Sequence, residues 1–253
     1  MLSLRPLATL LSLMTVTGSL CASGAALQDE KQDVGFAHPQ LLVSTSWLAV
    51  HGRDKGVVVV DVRKSGDYAA AHVTGSVNIP APATSDPDSR WSLGSAKHIA
   101  KLLGAQGIDA KSHVVLYDEG RSTAAPRVFW ALEVYGHAKV SVVDGGFAKW
   151  KSEQRPATVE ATRVTAIEYK IGKRSARVST GKQVLADVEQ ADAAMLDART
   201  SREYTSGRIP GAVRIEWTDN YTSDKVAVFK SPADLRKLYA DQGVTRDKRV
   251  HAY

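Results

Sequence analysis

Two copies of one sequence pattern run through this chain, and the repetition restricts the possible folds more than any other feature. Residues 61–79, DVRKSGDYAAAHVTGSVNI, align without a gap with residues 197–215, DARTSREYTSGRIPGAVRI, at an offset of 136. The same offset pairs Tyr117 with Tyr253. Because self-similarity at a fixed spacing marks repeated structural units, the sequence predicts two copies of one domain.

Within each copy, apolar runs alternate with segments of helical spacing. Residues 57–62, VVVVDV, are typical of a strand buried on both faces of a parallel sheet. Alternating strands and helices predict an α/β fold with two doubly wound parallel-sheet repeats and right-handed crossovers. The predicted strands are 57–62, 77–79, 113–117, 140–143 and 194–197, and the predicted helices are 65–72, 95–105, 122–135 and 180–191.

These elements divide the chain into a first domain over residues 40–155, a connecting arm over 156–178 and a second domain over 179–253. The second copy contains fewer of the predicted elements than the first. We expect it to be incomplete and weakly stable, because its last strand corresponds to a central strand of the first copy and would expose an unpaired edge.

The first 25 residues have the pattern of a secretory signal. Arg5 precedes an apolar stretch from Leu7 to Val16, and small residues follow. The stretch is shorter than the roughly 20 residues that a membrane span needs. We therefore expect cleavage, a periplasmic location and no stable membrane association afterwards. Cys21 is the only cysteine, and Leu20 before it disfavours a lipoprotein signal, so the mature chain would contain no thiol.

The charge pattern excludes some functions. The formal net charge is +6, yet the lysines and arginines are scattered without a run of five, which argues against a nucleic-acid-binding tail. The seven histidines form no pair at ligand spacing and have no cysteine partners, so no metal site is predicted. The sequence contains neither of the glycine-rich nucleotide-binding motifs, G-x-G-x-x-G and G-x-x-x-x-G-K-[ST], and no cofactor is expected.

A candidate ligand loop follows the third strand of copy one: Asp118, Glu119, Gly120 and Arg121 precede a predicted helix. Ligands of open α/β sheets bind beyond the carboxyl ends of the strands, where a loop entering a helix can cradle an anion with backbone N–H groups. The carboxylates of Asp118 and Glu119 would fill or repel such a site, and the first position has no nucleophile. We interpret this as a degenerate site, an ordinary capped turn.

The motifs resemble those of a known family. Residues 197–212, DARTSREYTSGRIPGA, are similar to the first signature of rhodanese domains, and residues 140–150, VSVVDGGFAKW, are similar to the closing motif. A tandem arrangement with Asp118 at the position of the cysteine resembles thiosulfate and 3-mercaptopyruvate sulfurtransferases. The resemblance covers roughly residues 40–253.

This resemblance implies transfer of sulfane sulfur from a small anionic donor, thiosulfate or 3-mercaptopyruvate, to a thiophilic acceptor such as cyanide or a thiol. The intermediate would be a cysteine persulfide. The nucleophile is expected at position 254, directly after Tyr253, so no catalytic residue lies within the chain and the 253 residues alone should be inactive. Arg199 would bind the donor. Because Arg63 occupies the same position in copy one, a salt bridge of Arg199 to Glu203 or another carboxylate is an equal alternative.

Other interpretations remain open at this level. The chain could be a non-catalytic rhodanese-like protein whose loops bind anions or partners. A phosphatase of the same fold is disfavoured by the signal and the degenerate first copy. Arg208 stands where the family usually has histidine, which weakens any role for that position. Trp91 and Trp217 could line an inter-domain cleft, but we expect them to pack in a core or interface.

Overall fold

A computed structural model of the protein describes residues 35–173, 175 and 177–253. The predicted signal over residues 1–25, with Cys21, lies outside these residues. Within the described ranges, no helix combines the length and the apolar character needed to cross a membrane.

Repeat one is built around a five-stranded sheet. Its helices are α1 (Thr45–His51), α2 (Ser65–Ala70), α3 (Ala96–Ala105), α4 (Ala124–Val134) and α5 (Gly146–Ser152). Its strands are β1 (Leu42–Val43), β2 (Val57–Asp61), β3 (His72–Val73), β4 (Val77–Asn78), β5 (Ser85–Asp86), β6 (Ser89–Leu93), β7 (His113–Tyr117) and β8 (Val140–Val143). The sheet has the order β1-β8-β7-β2-β4, and all its pairings are parallel.

Alternate residues of the central strands point to opposite faces of this sheet, and each face is covered by helices. Val60 and Leu116 belong to a core cluster with residues of α3 and α4, whereas Val59 and Val115 belong to a second cluster with residues of α1 and α5. Burial on both faces explains the continuous valine run of β2, since neither face meets water. The predicted doubly wound α/β fold is confirmed.

Repeat two contains α6 (Gly181–Asp187), β10 (Ala193–Asp197), α7 (Ser201–Ser206), β11 (Val213–Arg214), α8 (Pro232–Ala240) and β12 (Arg249–Ala252). Its parallel sheet has the order β11-β10-β12. The sequence offset of 136 persists in three dimensions: β2, α2 and β4 correspond to β10, α7 and β11 residue for residue. The strand register also repeats, because Val57 pairs with His113 and Ala193 pairs with Arg249.

The structure corrects several predicted boundaries. The helix expected at 122–135 begins at Ala124, because the preceding loop turns back on itself and Arg121 has φ of 47°. The helix expected at 180–191 ends at Asp187, where turns replace it; Thr180 is its N-cap in a capping box with Gln183. The hairpin of β5 and β6 was not predicted, because its polar, two-residue strand carries no alternating pattern.

The arm over 156–178 packs against repeat one. Its strand β9 (Ala157–Thr158) pairs antiparallel with β3, and Tyr169 is 5% exposed, with its hydroxyl 2.8 Å from Nδ1 of His137. Ile167 N donates to the carbonyl of Gly104. A Cβ at Gly104 would lie 2.3 Å from the Ile167 carbonyl oxygen, so this close approach requires glycine. The arm is therefore part of the packed structure of the first repeat.

Candidate functional site

A buried carboxylate and an arginine shape the carboxyl edge of the sheet in repeat one. Asp61 ends β2 and is fully buried; its Oδ1 accepts from the backbone N–H of Arg63 at 2.9 Å, and its Oδ2 accepts from Nη2 of Arg63 at 2.6 Å. Nη2 of Arg63 also donates to the carbonyl of Ala71, and Nη1 donates to Glu119 Oε2 at 3.0 Å. Nε of Arg63 donates to both carboxylate oxygens of Asp61 at 3.1 Å, so all three guanidinium nitrogens form hydrogen bonds within the protein.

Repeat two reproduces this pair. Asp197 is fully buried and accepts from the backbone N–H of Arg199 at 2.9 Å, from its Nε at 3.0 Å and from its Nη2 at 2.6 Å. These contacts with Arg199 hold the pKa of Asp197 below its ordinary value. Arg199 is therefore in a salt bridge, but its partner is Asp197 and not Glu203, whose carboxylate caps α7 through Thr200.

The two arginines differ in one respect. The side chain of Arg63 is 7% exposed, whereas that of Arg199 is 33% exposed. Nη2 of Arg199 donates to Asp197 and to the carbonyl of Gly207, but Nη1 makes no hydrogen bond or ion pair within the part of the chain that the structure describes. By the repeat offset, the residue that corresponds to Glu119 is number 255, beyond Tyr253, so the difference at Nη1 assigns no separate role to Arg199.

The tyrosines at the ends of β7 and after β12 are equivalent. The hydroxyl of Tyr117 accepts from the backbone N–H of Val73 at 3.0 Å, and the hydroxyl of Tyr253 accepts from that of Ile209 at 3.0 Å. Burial raises the pKa of Tyr117, so its hydroxyl stays protonated. Each tyrosine ties its strand end to the segment after the second helix of its repeat, α2 or α7, which fixes the edge of the sheet.

Asp118 occupies the cradle of repeat one with its own carboxylate. Oδ1 accepts from the backbone N–H of Gly120 at 2.9 Å, and Oδ2 accepts from that of Ala125 in the first turn of α4, also at 2.9 Å. Asp118 is 6% exposed and Ala125 is fully buried. Of the two possibilities that the sequence left, filling the anion site or repelling an anion, the structure shows filling.

The rest of the loop is fixed by charge and by tight packing. Glu119 bridges Arg63 and Lys151, with both contacts at 3.0 Å. A Cβ at Gly120 would lie 2.5 Å from the carbonyl oxygen of Gly145, so the loop presses directly against the backbone of that turn. Gly120 and Arg121 both have positive φ, which turns the chain toward α4. The edge of repeat one is a closed, self-satisfied loop.

A cavity of about 1070 Å³ lies above this closed edge, with Phe147, Pro82 and Trp91 among its lining residues. Trp91 is 77% exposed, so the expectation that it packs in a core or interface is wrong. The residue lies on the β5–β6 hairpin, which Nη2 of Arg127 holds through Ser85 Oγ and the Ser92 carbonyl. The hairpin therefore carries the indole at the wall of the cavity and away from the core.

At the edge of repeat two, the segment after β11 meets the ends of the other strands. The backbone N–H of Trp217 donates to the carbonyl of Ala198 at 2.9 Å, and that of Ala198 donates to the carbonyl of Tyr253 at 2.9 Å. Arg208 lies over the ring of Tyr204, with 4.5 Å between the guanidinium carbon and the ring centroid. His72 stacks on Tyr68 at the equivalent position of repeat one, so Arg208 takes over a packing contact there.

The fold, the repeated edge and the motifs define one class of protein. The chain belongs to the rhodanese-like domain family, whose model matches residues 44–153 and 180–253. Two curated relatives are the sulfur carrier protein TtuD of Thermus thermophilus, 31% identical over 242 residues (87% of this chain and 84% of the relative), and the thiosulfate sulfurtransferase of Cricetulus griseus, 31% identical over 231 residues (80% and 77%).

A solved structure gives the same picture. SseA from Escherichia coli, described as having the rhodanese fold of the 3-mercaptopyruvate enzymes, matches with a TM-score of 0.73 and 26% identity, over 84% of this chain and 87% of that one. This similarity extends over both repeats, so the tandem arrangement is common to the two proteins.

Proposed function

We propose that this protein is a sulfurtransferase that takes sulfane sulfur from a small anionic donor, thiosulfate or 3-mercaptopyruvate, and passes it to a thiophilic acceptor such as cyanide or a thiol. The names of the curated relatives support the reaction class. The reaction would occur at the carboxyl edge of the sheet in repeat two, with a cysteine at position 254 as nucleophile.

One observation carries the proposal: β12 pairs with β10 in the register in which β7 pairs with β2. The position after Tyr253 therefore corresponds to Asp118, whose carboxylate accepts two backbone N–H groups in repeat one. A thiolate at this place would face the same kind of donors, and these would lower its pKa and favour the nucleophilic form. The chemistry that repeat one has lost would thus be supplied by repeat two.

Arg199 is proposed to bind the anionic donor. Its pairing with Asp197 orients the guanidinium, and the side chain of Arg199 is one-third exposed at the carboxyl edge of the sheet. The guanidinium carbon of Arg199 lies 5.1 Å from the ring centroid of Tyr253, the residue directly before the proposed nucleophile. This proximity supports the donor-binding interpretation of Arg199.

In the proposed cycle the thiolate attacks the outer sulfur of thiosulfate, the S–S bond breaks, and sulfite leaves with the bonding electron pair. The cysteine then carries the sulfur as a persulfide. Cyanide attacks the outer sulfur of this persulfide, which gives thiocyanate and restores the thiolate. No external oxidant or reductant is needed, and splitting the transfer through a covalent intermediate is the usual logic of nucleophilic catalysis.

The test is thiocyanate formation by protein expressed from the reading frame extended beyond Tyr253. We expect turnover with thiosulfate or 3-mercaptopyruvate, loss of turnover when position 254 is changed to serine, and a raised KM for Arg199→Ala. Arg63→Ala is the matched control and should leave the KM for the donor unchanged if the variant is folded. A folded extended protein without turnover would instead favour a non-catalytic rhodanese-like binding protein.

We also propose export to the periplasm, on the strength of the sequence pattern over residues 1–25. Amino-terminal sequencing of protein from the periplasmic fraction tests this. Cleavage near Ala25 or Ala26 is expected, and an intact amino terminus in the cytoplasmic fraction would contradict it.

A further inference from the structure

One loop of repeat two reaches across to repeat one, and we call residues 217–230 the docking loop. It begins with a 3₁₀ helix, Trp217–Asn220, and is then closed by a bridge between Tyr221 and Phe229. The rings of these two residues lie 4.5 Å apart, centroid to centroid. The hydroxyl of Tyr239 on α8 donates to Oδ1 of Asn220 at 2.8 Å and so anchors the base of the loop.

The tip of the docking loop rests on the closed edge of repeat one. The backbone N–H of Phe229 donates to Oδ1 of Asp144 at 2.9 Å, and the hydroxyl of Tyr221 lies 3.4 Å from the carbonyl oxygen of Ser122. Tyr221 is 9% exposed, and burial, together with the charges of Asp118 and Asp144, raises the pKa of its hydroxyl. The loop is therefore inserted beside the degenerate site.

The surface under the loop is rigid. The turn that begins at Asp144 is locked against the Asp118 loop, because Phe147 N donates to the Asp118 carbonyl at 2.8 Å. A Cβ at Gly146 would lie 2.6 Å from that same carbonyl oxygen. The carboxylate of Asp144 is thus presented from a fixed backbone. By the repeat offset, Tyr221 and Phe229 correspond to Ser85 and Leu93, so only repeat two carries the aromatic pair.

The other end of the docking loop reaches the edge of repeat two. Trp217 packs edge-to-face on Tyr221, with 6.4 Å between ring centroids, and its N–H donates to the carbonyl of Ala198, next to Arg199. A displacement of Tyr221 would therefore change the packing of Trp217 and, through the hydrogen bond to the Ala198 carbonyl, the position of the backbone next to Arg199. A continuous chain of contacts joins the degenerate edge of repeat one to the functional edge of repeat two.

We propose that the nucleophile-free edge of repeat one is a docking platform, on which Asp144, Tyr221 and Phe229 act as positioning residues for Trp217 and Arg199. The role of these residues rests on the proposed function, because that function gives the edge of repeat two its purpose. Asp118 has a part in the platform as well: by filling its own cradle it keeps the loop that carries Ser122 in one conformation.

The test follows Trp217 directly, in the 253-residue chain labelled with 5-fluorotryptophan. The ¹⁹F resonance of Trp217 is assigned with Trp217→Phe. Asp144→Ala and Tyr221→Ala should shift or broaden this resonance and increase the undocked population about tenfold or more, since a hydrogen bond to a carboxylate is lost or the ring contact is removed. The resonance of Trp150, within repeat one, should stay in place.

Two variants serve as controls. Asp144→Asn keeps an acceptor oxygen for the N–H of Phe229 and should restore the wild-type resonance of Trp217. Asp54→Ala removes an exposed carboxylate elsewhere in repeat one and should change nothing. Urea transitions followed at Trp217 and at Trp150 should coincide in the wild type and separate in Tyr221→Ala.

An unchanged Trp217 resonance in Asp144→Ala and Tyr221→Ala would overturn the docking platform. If Asp144→Ala does not fold, Tyr221→Ala alone decides, because it leaves repeat one intact. Neither measurement involves sulfur transfer. An extended protein without thiocyanate formation would remove the proposed function and leave the docking result standing. An unchanged Trp217 resonance would remove the docking platform and leave the proposed function standing.

Discussion

Replacing Asp118 with alanine should destabilise repeat one markedly although the residue belongs to a site without a nucleophile. The substitution removes the acceptors of two backbone N–H groups, those of Gly120 and Ala125. Ala125 is fully buried, so water does not replace the lost partner. Hydrogen bonds to charged groups contribute about 1.5–3 kcal/mol each, and we expect a combined loss of about 2–4 kcal/mol, because Gly120 regains partial hydration.

The assay is urea unfolding of the 253-residue chain, followed by fluorescence. Asp118→Asn should lie between the wild type and Asp118→Ala, since its amide oxygen satisfies one N–H group while its NH₂ faces another donor. Asp67→Ala removes an exposed carboxylate on the same cavity and should change stability by no more than about 0.5 kcal/mol. A loss below about 0.5 kcal/mol for Asp118→Ala would show that the carboxylate does not hold the loop.

Three further outcomes are expected. Since Arg199 holds the pKa of Asp197 below its ordinary value of 3.8, the pair stabilises repeat two fully above that value and loses its contribution as the pH falls below it; urea midpoints measured from pH 7 to pH 2 should show the loss, and Asp197→Asn should flatten it. Gly146→Ala should lower the free energy of unfolding by about 2 kcal/mol or more, because φ of Gly146 is 55° and the new Cβ would lie 2.6 Å from the Asp118 carbonyl oxygen. Gly66→Ala on α2, where a Cβ would have nothing within 4 Å, should be neutral or stabilising. Thermal melts of both variants test this difference, and equal effects would contradict it. The 253-residue chain should form no thiocyanate above a blank without enzyme, and turnover would refute the assignment of the nucleophile to position 254.

Much of the candidate site could be located from the sequence, because the offset of 136 relates each position of one copy to its equivalent in the other. The alignment of residues 61–79 with residues 197–215 pairs Asp61 with Asp197, and Asp118 is an acid in a loop suited to anions. The hydrogen-bond partners of these acids could not be predicted from the sequence. Asp197 and Glu203 lie two and four residues from Arg199 in the sequence, and only the fold shows that Glu203 turns back to cap its own helix.

The contacts that Asp144 makes with the docking loop were not predicted. Asp144 lies within residues 140–150, which the sequence marks only by their similarity to the closing motif, and Tyr221 and Phe229 belong to no motif. The only signal available was their difference from Ser85 and Leu93 at the repeat offset, which marks positions where the copies have diverged. The expectation for Trp91 was wrong for a different reason. A large aromatic residue in a sequence does not reveal whether the hairpin that carries it faces a core or a cavity.

The sequence by itself determined the α/β class, the two repeats and the offset of 136 that relates them. These follow from periodicity, since the pattern of burial repeats wherever the same backbone repeats. The tertiary structure decided the direction in which each charged side chain points, and it showed that the degenerate edge of repeat one supports a loop of repeat two. Such contacts depend on distances of a few ångströms between residues about 100 apart in the chain, and no local pattern encodes them.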